Sequence, residues 1–97
     1  MLTGKQRSYL KGLANNIEPI FQIGKNGITE NFVKQVDEAL EARELIKINV
    51  LNNSLLDTKE TANELAKKTN AEFVQSIGHK FVLYRESIEN RKIQLPK

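Results

Sequence analysis

Residues 19–29 read PIFQIGKNGIT, and this stretch decides the fold because three local signals follow one another in it. The run Ile20–Ile23 is rich in β-branched and aromatic residues, which predicts a short strand. Gly24 and Gly27 break that run, and Thr29 is a suitable N-cap for a following helix. A strand that turns directly into a helix is typical of an α/β domain.

Three helices are predicted in the chain: one before this stretch, one that starts at its end, and one further along. Thr3 with Gln6 predicts a capping box at the start of the first helix, and Asp57 with Glu60 resembles the same motif at the start of the third. The second helix is predicted to run from Thr29 to about Arg43. The three helices carry apolar stripes at helical spacing, which are Leu2, Leu10, Leu13, Ala14 and Ile17; Phe32, Val33, Val36, Ala39 and Leu40; and Ala62, Leu65, Ala66 and Thr69.

The remaining segments predict three strands. Residues 46–50 alternate between apolar and polar, residues 52–54 form a loop, and residues 73–77 and 80–85 flank a Gly78-His79 hairpin turn. The predicted order is therefore α-β-α-β-α-β-β. The predicted fold class is α/β, with a four-stranded mixed sheet packed with helices, because a strand–helix–strand unit favours parallel pairing and the hairpin is antiparallel.

Composition narrows the functional classes. Apolar residues make up 39% and charged residues 28% of 97, as in one folded domain rather than a disordered chain. The chain has no cysteine and one histidine, so the sequence predicts no metal site, no cofactor and no enzyme. Because neither a signal peptide nor a membrane-spanning run is seen, we expect a cytoplasmic protein without a membrane partner.

Positive charge is concentrated at the two ends of the chain, although the net charge is only +3. Residues 1–28 carry four basic side chains against one acidic, residues 29–70 six against eight, and residues 71–97 five against three. If the fold brings the two ends together, one face becomes basic and attracts polyanions. An ordinary solvated surface is the alternative.

The glycine loop has the features of an anion site. Gly24 and Gly27 have no Cβ that would hold a ligand away, Lys25 brings a full charge, and Asn26 brings an amide. The free N–H groups and the dipole of the following helix, capped by Thr29, favour a phosphate at the same place. A tight turn without a ligand remains the alternative. The loop lacks the Gly-Lys-Ser/Thr of a nucleotide-hydrolysing P-loop and the third glycine of a dinucleotide fingerprint.

Several sequence blocks together resemble the CRM domain, named for chloroplast RNA splicing and ribosome maturation, and most closely its stand-alone bacterial YhbY-type members. The resemblance extends from Leu2 to Arg85. The blocks that carry it, in chain order, are TGKQR (3–7), PIFQIGKNGIT (19–29), ELIK (44–47), VQSIG (74–78) and VLYR (82–85).

The resemblance implies a fold similar to the C-terminal domain of a bacterial translation initiation factor, and binding of ribosomal RNA in precursors of the large subunit. It places the family's GxxG loop on Gly24, Lys25, Asn26 and Gly27. It also implies a basic surface, which we assign to Lys5, Arg7, Lys11, Lys80 and Arg85.

The expected organisation is a CRM-type domain over residues 1–86, followed by a polar, flexible tail over residues 87–97. We expect a monomer that grips the backbone of structured RNA. A protein-interaction module that docks through its acidic helices is the alternative.

Overall fold

The structure is a computed structural model, in which residues 1–52 and 55–97 are described. In these residues the helices are α1 (Gly4–Ala14), α2 (Glu30–Arg43) and α3 (Thr58–Thr69), and the strands are β1 (Phe21–Ile23), β2 (Leu45–Val50), β3 (Glu72–Ile77) and β4 (Lys80–Tyr84). The predicted order α-β-α-β-α-β-β is confirmed. The strands form one mixed sheet in the spatial order β1-β2-β4-β3. Of the predicted loop at 52–54, residues 53 and 54 lie outside the described part.

The helices begin at the capping residues that the sequence predicted. The Gln6 N–H donates to Thr3 Oγ1 at 3.1 Å, and the Gln6 side chain accepts the Thr3 N–H at 3.1 Å, which completes a capping box. Asp57 Oδ1 accepts the Glu60 N–H at 2.8 Å, so α3 has the first half of that motif. Caps of this kind each stabilise a helix by about 1 kcal/mol.

The sheet buries side chains on both of its faces. α2 and α3 cover one face, where the buried residues are Ile23, Val36, Leu40, Ile46, Ile48, Val50, Ala62, Leu65, Ala66, Phe81 and Leu83. α1 covers part of the other face, where the buried residues are Leu10, Ala14, Leu45, Val74, Val82 and Tyr84. The alternation in β2 therefore correctly predicted the buried face that α2 and α3 cover. It did not predict burial on the face that α1 covers, because Leu45 lies outside the predicted strand.

The tail, residues 87–97, lies against the domain. Glu44 is fully buried, and its carboxylate accepts three backbone N–H groups, from Ser87 at 2.8 Å, Lys92 at 2.6 Å and Ile93 at 2.7 Å. Glu41 accepts further N–H groups from Ile88 at 3.0 Å and from the residue after it at 2.9 Å.

Apolar tail residues add to this attachment. Ile93 and Leu95 pack on the core beneath α1, and the Pro96 carbonyl accepts a bond from the Gln6 side chain at 3.1 Å. These contacts attach the tail to the domain, which the polarity of the segment did not suggest, and the flexibility of the tail stays a prediction. The two carboxylates that hold it, those of Glu41 and Glu44, are far away in the sequence. The domain boundary after residue 86 stays a prediction.

The two glutamates that hold the tail have lowered pKa values. Burial raises the pKa of Glu44, but the N–H groups of Ser87, Lys92 and Ile93 together outweigh it and keep the pKa below its ordinary value. The N–H groups of Ile88 and Glu89, with the Ser87 hydroxyl, lower the pKa of Glu41. Both side chains therefore stabilise the fold in their charged form.

Glu44→Gln should lower the free energy of unfolding at pH 7 by about 2 kcal/mol, because it removes a buried, charged acceptor of three N–H groups. The folded-state pKa lies below the unfolded value. The stability contributed by Glu44 is therefore present above the unfolded value and lost as the pH falls through the folded one. Urea unfolding at pH 7 and at pH 3 checks this, with the exposed Glu38→Gln as the control. A Glu44→Gln variant as stable as the control at pH 7 would contradict it.

Candidate nucleic-acid interface

The glycine loop closes as a tight turn between β1 and α2. The Gly27 N–H donates to the Gly24 carbonyl oxygen at 3.0 Å, so Lys25 and Asn26 occupy the tip, where both are exposed. Gly27 has φ of 63°, which favours glycine at this position. Gly24 differs, since its φ is not positive and an added Cβ would meet Leu51 Cδ1 at an ordinary 3.5 Å. The fold therefore requires glycine more strictly at Gly27 than at Gly24.

The N-terminus of α2 lies directly after this turn. Thr29 Oγ1 accepts the Phe32 N–H at 3.1 Å, as predicted for the cap. Phe32 also packs edge-on against Phe21 of β1, with ring centroids 5.5 Å apart, and this contact fixes the first turn of α2 beside the strand. The first N–H groups of the helix and its dipole therefore lie next to Lys25 and Asn26, and can attract an anion.

The sheet register brings a second basic residue to the same end. β1 runs parallel to β2, with Ile23 beside Val50, so the loop leaves the sheet where β2 ends. The Val50 N–H donates to the carbonyl oxygen of His79 at 2.7 Å, so the β3–β4 hairpin turn also lies at this end. Lys80, the first residue of β4, is exposed there. We call this end of the sheet, with the loop and the hairpin, the loop end.

Arg7 has a structural partner that the sequence did not reveal. β3 has a bulge between Phe73 and Gln75, and the guanidinium of Arg7 donates to the carbonyl oxygens of Phe73 and of Val74, the latter at 3.3 Å. These two acceptors lie where the strand pairing shifts. Arg7 therefore stabilises an irregular edge strand. It is not a free surface cation beside Lys11, as its assignment to the basic surface implied.

Arg85 is engaged in the same way. Its guanidinium donates to Asp37 Oδ1 at 2.5 Å, to the Asp37 carbonyl at 2.9 Å and to the Thr69 carbonyl at 2.8 Å. It thus joins the end of β4 to α2 and α3, at the end of the sheet opposite the loop. Its side chain is only 20% exposed. The resemblance to the CRM domain led us to assign Arg85 to a basic surface, but its partners come from elements distant in the sequence.

The predicted basic residues on α1 lie at different distances from the loop. Lys5 is exposed in the first turn of α1, at the end where the Leu2 N–H donates to Glu72 at 3.0 Å, which is remote from the loop. Lys11 is exposed in the last turn, nearer to the loop end. The structure therefore brings together Gly24, Lys25, Asn26, Gly27, Thr29 and Lys80, with Lys11 closer to them than Lys5.

Two polar residues at the loop end, Gln22 and Asn49, were missed by sequence reasoning. They belong to one row that crosses all four strands. In this row Gln22 pairs with Asn49, Asn49 with Lys80, and Lys80 with Ile77. Alternation in β2 indicated that Lys47 and Asn49 share a face. The row itself depends on the register between strands, for which the sequence has no direct signal.

The carboxylate of Glu30 opposes an anion beside the loop. Glu30 lies in the first turn of α2 and is exposed, so its charge partly cancels the helix dipole beside the loop. Elsewhere, residues 1–52 and 55–97 contain no group of three acidic, histidine or cysteine side chains able to hold a metal, and no helix long and apolar enough to cross a membrane.

Fold and geometry together define a small α/β domain with a glycine loop and exposed lysines at one end of a mixed sheet. The chain belongs to the CRS1 / YhbY (CRM) domain family, whose match spans residues 2–85, and this confirms the resemblance identified in the sequence. The CRM domain is an RNA-binding family.

Individual relatives cover nearly the whole chain. The probable RNA-binding protein YqeI of Bacillus subtilis (strain 168) is 51% identical over 96 residues, which is 99% of this chain and 100% of that protein. An RNA-binding protein of Haemophilus influenzae is 42% identical over 99% of this chain and 96% of its own length. The solution structure of the hypothetical protein SAV1595 from Staphylococcus aureus matches with a TM-score of 0.82 and 59% identity, over 99% of this chain and 100% of that one.

Arg7→Ala should lower the free energy of unfolding by about 1–3 kcal/mol, because the Phe73 and Val74 carbonyls lose their charged donor. Lys11→Ala, one turn further along α1, should change it by no more than about 0.5 kcal/mol. Chemical denaturation of both variants checks the difference. If Arg7→Ala unfolded like the wild type, the structural role assigned to Arg7 would be wrong.

Proposed function

We propose that this protein binds the backbone of structured RNA at the loop end, with the Gly24–Gly27 turn and the N-terminus of α2 holding a phosphate. The observation that carries the proposal is the exposed turn with Lys25 and Asn26 at its tip, directly before the first turn of a fixed helix. Lys80 extends the positive surface along the sheet, and Lys11 approaches it from α1. Membership of an RNA-binding family and the names of the relatives support RNA as the polyanion.

Recognition in this proposal depends mainly on RNA shape and phosphate position. Phe81 and Tyr84, the aromatic residues of β4, are buried in the two cores and are not available to stack on bases. Arg7 and Arg85, the arginines first assigned to the surface, are bonded to backbone carbonyls and to Asp37. The contacts left for RNA come from lysines, amides and backbone N–H groups, which position a phosphate chain without reading many bases.

The finer proposal is that the RNA is ribosomal and belongs to precursors of the large subunit, as the CRM resemblance implies. In this proposal the protein acts as a cytoplasmic monomer and as a binding domain without catalytic activity. The net charge of +3 fits a narrow contact with RNA, restricted to the loop end.

Docking of another protein on the acidic helices is the second candidate function. Two of the acidic residues on α2 have internal roles, since Asp37 pairs with Arg85 and Glu41 holds the tail. The acidic surface left for a partner is therefore smaller than the sequence suggested, which favours RNA binding at the loop end.

Lys25→Asp combined with Asn26→Asp should lower RNA affinity at least tenfold, because it places two carboxylates where the phosphate binds. The fold should survive, since both side chains are exposed at the tip of the turn. Filter binding or fluorescence anisotropy with a structured ribosomal RNA fragment at moderate salt measures the effect.

Two controls separate a local effect from a general effect of charge. Lys67→Glu with Asn63→Glu makes the same charge change on exposed residues of α3 and should lower affinity less than threefold. Glu30→Gln removes the opposing carboxylate beside the loop and should raise affinity. Equal losses for the loop and α3 variants would reject the loop as the binding site.

A further inference from the structure

The face of the sheet that carries α1 is open near the loop end. α1 ends at Ala14, and beyond it lies the row Gln22, Asn49, Lys80 and Ile77, of which Asn49 is half-buried and the other three are exposed. Between the end of α1 and this row is a cleft of about 220 Å³, lined by Asn15, Lys47, Gln75, Ile77, Lys80 and Val82. Lys47, Val82 and Gln75 are themselves neighbours across three strands.

The lining of the cleft combines three kinds of chemistry. Asn15 and Gln75 carry amides, which both donate and accept hydrogen bonds and therefore match the edge of a nucleobase. Lys47 and Lys80 supply positive charge, and none of the six lining residues is acidic. Ile77 is 65% exposed and provides an apolar contact beside the lysines.

The size of the cleft limits what can enter it. Pockets for drug-sized ligands start at roughly 300 Å³, so this cleft suits one planar base rather than a larger group. A paired base in an RNA helix is stacked and cannot enter a concave site, whereas an unpaired base can turn outward. Positive charge without a carboxylate, and continuity with the loop end, favour a nucleotide over a neutral or cationic ligand.

We propose that the cleft receives the base of one unpaired nucleotide in RNA whose backbone is held at the neighbouring loop. This inference rests on the proposed function and adds to it a preference for RNA with a bulged or looped-out nucleotide. The loop and Lys80 hold the phosphates on one side of the nucleotide. The amides of Asn15 and Gln75 contact its base, and Ile77 packs against the base plane.

The test compares RNA hairpins that differ only in one unpaired nucleotide. Four bulged versions, one for each base, are titrated beside the fully paired hairpin. The cleft variant is Gln75→Ala with Ile77→Ala, which alters no charge and so leaves general attraction to RNA unchanged. The matched control is Gln94→Ala with Ile88→Ala, the same substitutions at two exposed tail residues. Thermal unfolding establishes that each variant is folded.

The wild type and the matched control should bind at least one bulged hairpin fivefold or more tightly than the paired one. In the cleft variant this preference should fall below twofold, while affinity for the paired hairpin stays within twofold of the wild type. Equal binding of all hairpins by the wild type, or a preference kept by the cleft variant, would overturn the inference. If the proposed function itself were wrong, the result would differ. The loop variant, Lys25→Asp with Asn26→Asp, would then bind every hairpin as tightly as the wild type does.

A second measurement uses the unaltered protein. A 4-thiouridine at the unpaired position should crosslink under ultraviolet light to the peptide that contains residues 75–80. Crosslinks only to α3 or to the tail would also overturn the inference.

Discussion

The arrangement of this protein depends on the parallel pairing of β1 with β2, in which Phe21 lies beside Ile48 and Ile23 beside Val50. Because the two strands run in the same direction, they end at the same edge of the sheet. The chain must return along one face as α2, so the N-terminus of that helix starts beside the loop that leaves β1. β4 pairs antiparallel with β2 and therefore begins at this edge, which brings Lys80 and the hairpin turn near the loop. The pairing of β1 and of β4 with β2 thus brings residues from three parts of the chain to one edge.

Local signals predicted most of this architecture. Thr3, Thr29 and Asp57 set the helix starts, and the alternation after residue 45 predicted β2, because capping and side-chain period act within a few residues. The loop and its place before α2 were predicted for the same reason. The roles of Arg7 and Arg85, and the attachment of the tail by Glu44, could not be predicted, since their partners lie between 16 and 67 residues away.

The use of charge explains how a protein with a net charge of only +3 can present a basic site. Arg7 and Arg85 donate to internal carbonyls, and the carboxylates of Asp37, Glu41 and Glu44 accept internal donors, so arginines and acids alike stabilise the fold. The exposed lysines at the loop end keep their charge for a ligand. The Glu30 carboxylate lowers the positive potential beside the loop. RNA binding there should therefore be sensitive to salt and to single substitutions near the loop.

The most direct test of the central claim is an NMR titration of the labelled protein with a structured ribosomal RNA fragment. The largest changes in backbone amide shift should fall at residues 24–31, where the turn and the first N–H groups of α2 meet a phosphate, with smaller changes at Asn49 and Lys80. Changes confined to the exposed acidic surface of α2 and α3, with the loop amides unaffected, would contradict it.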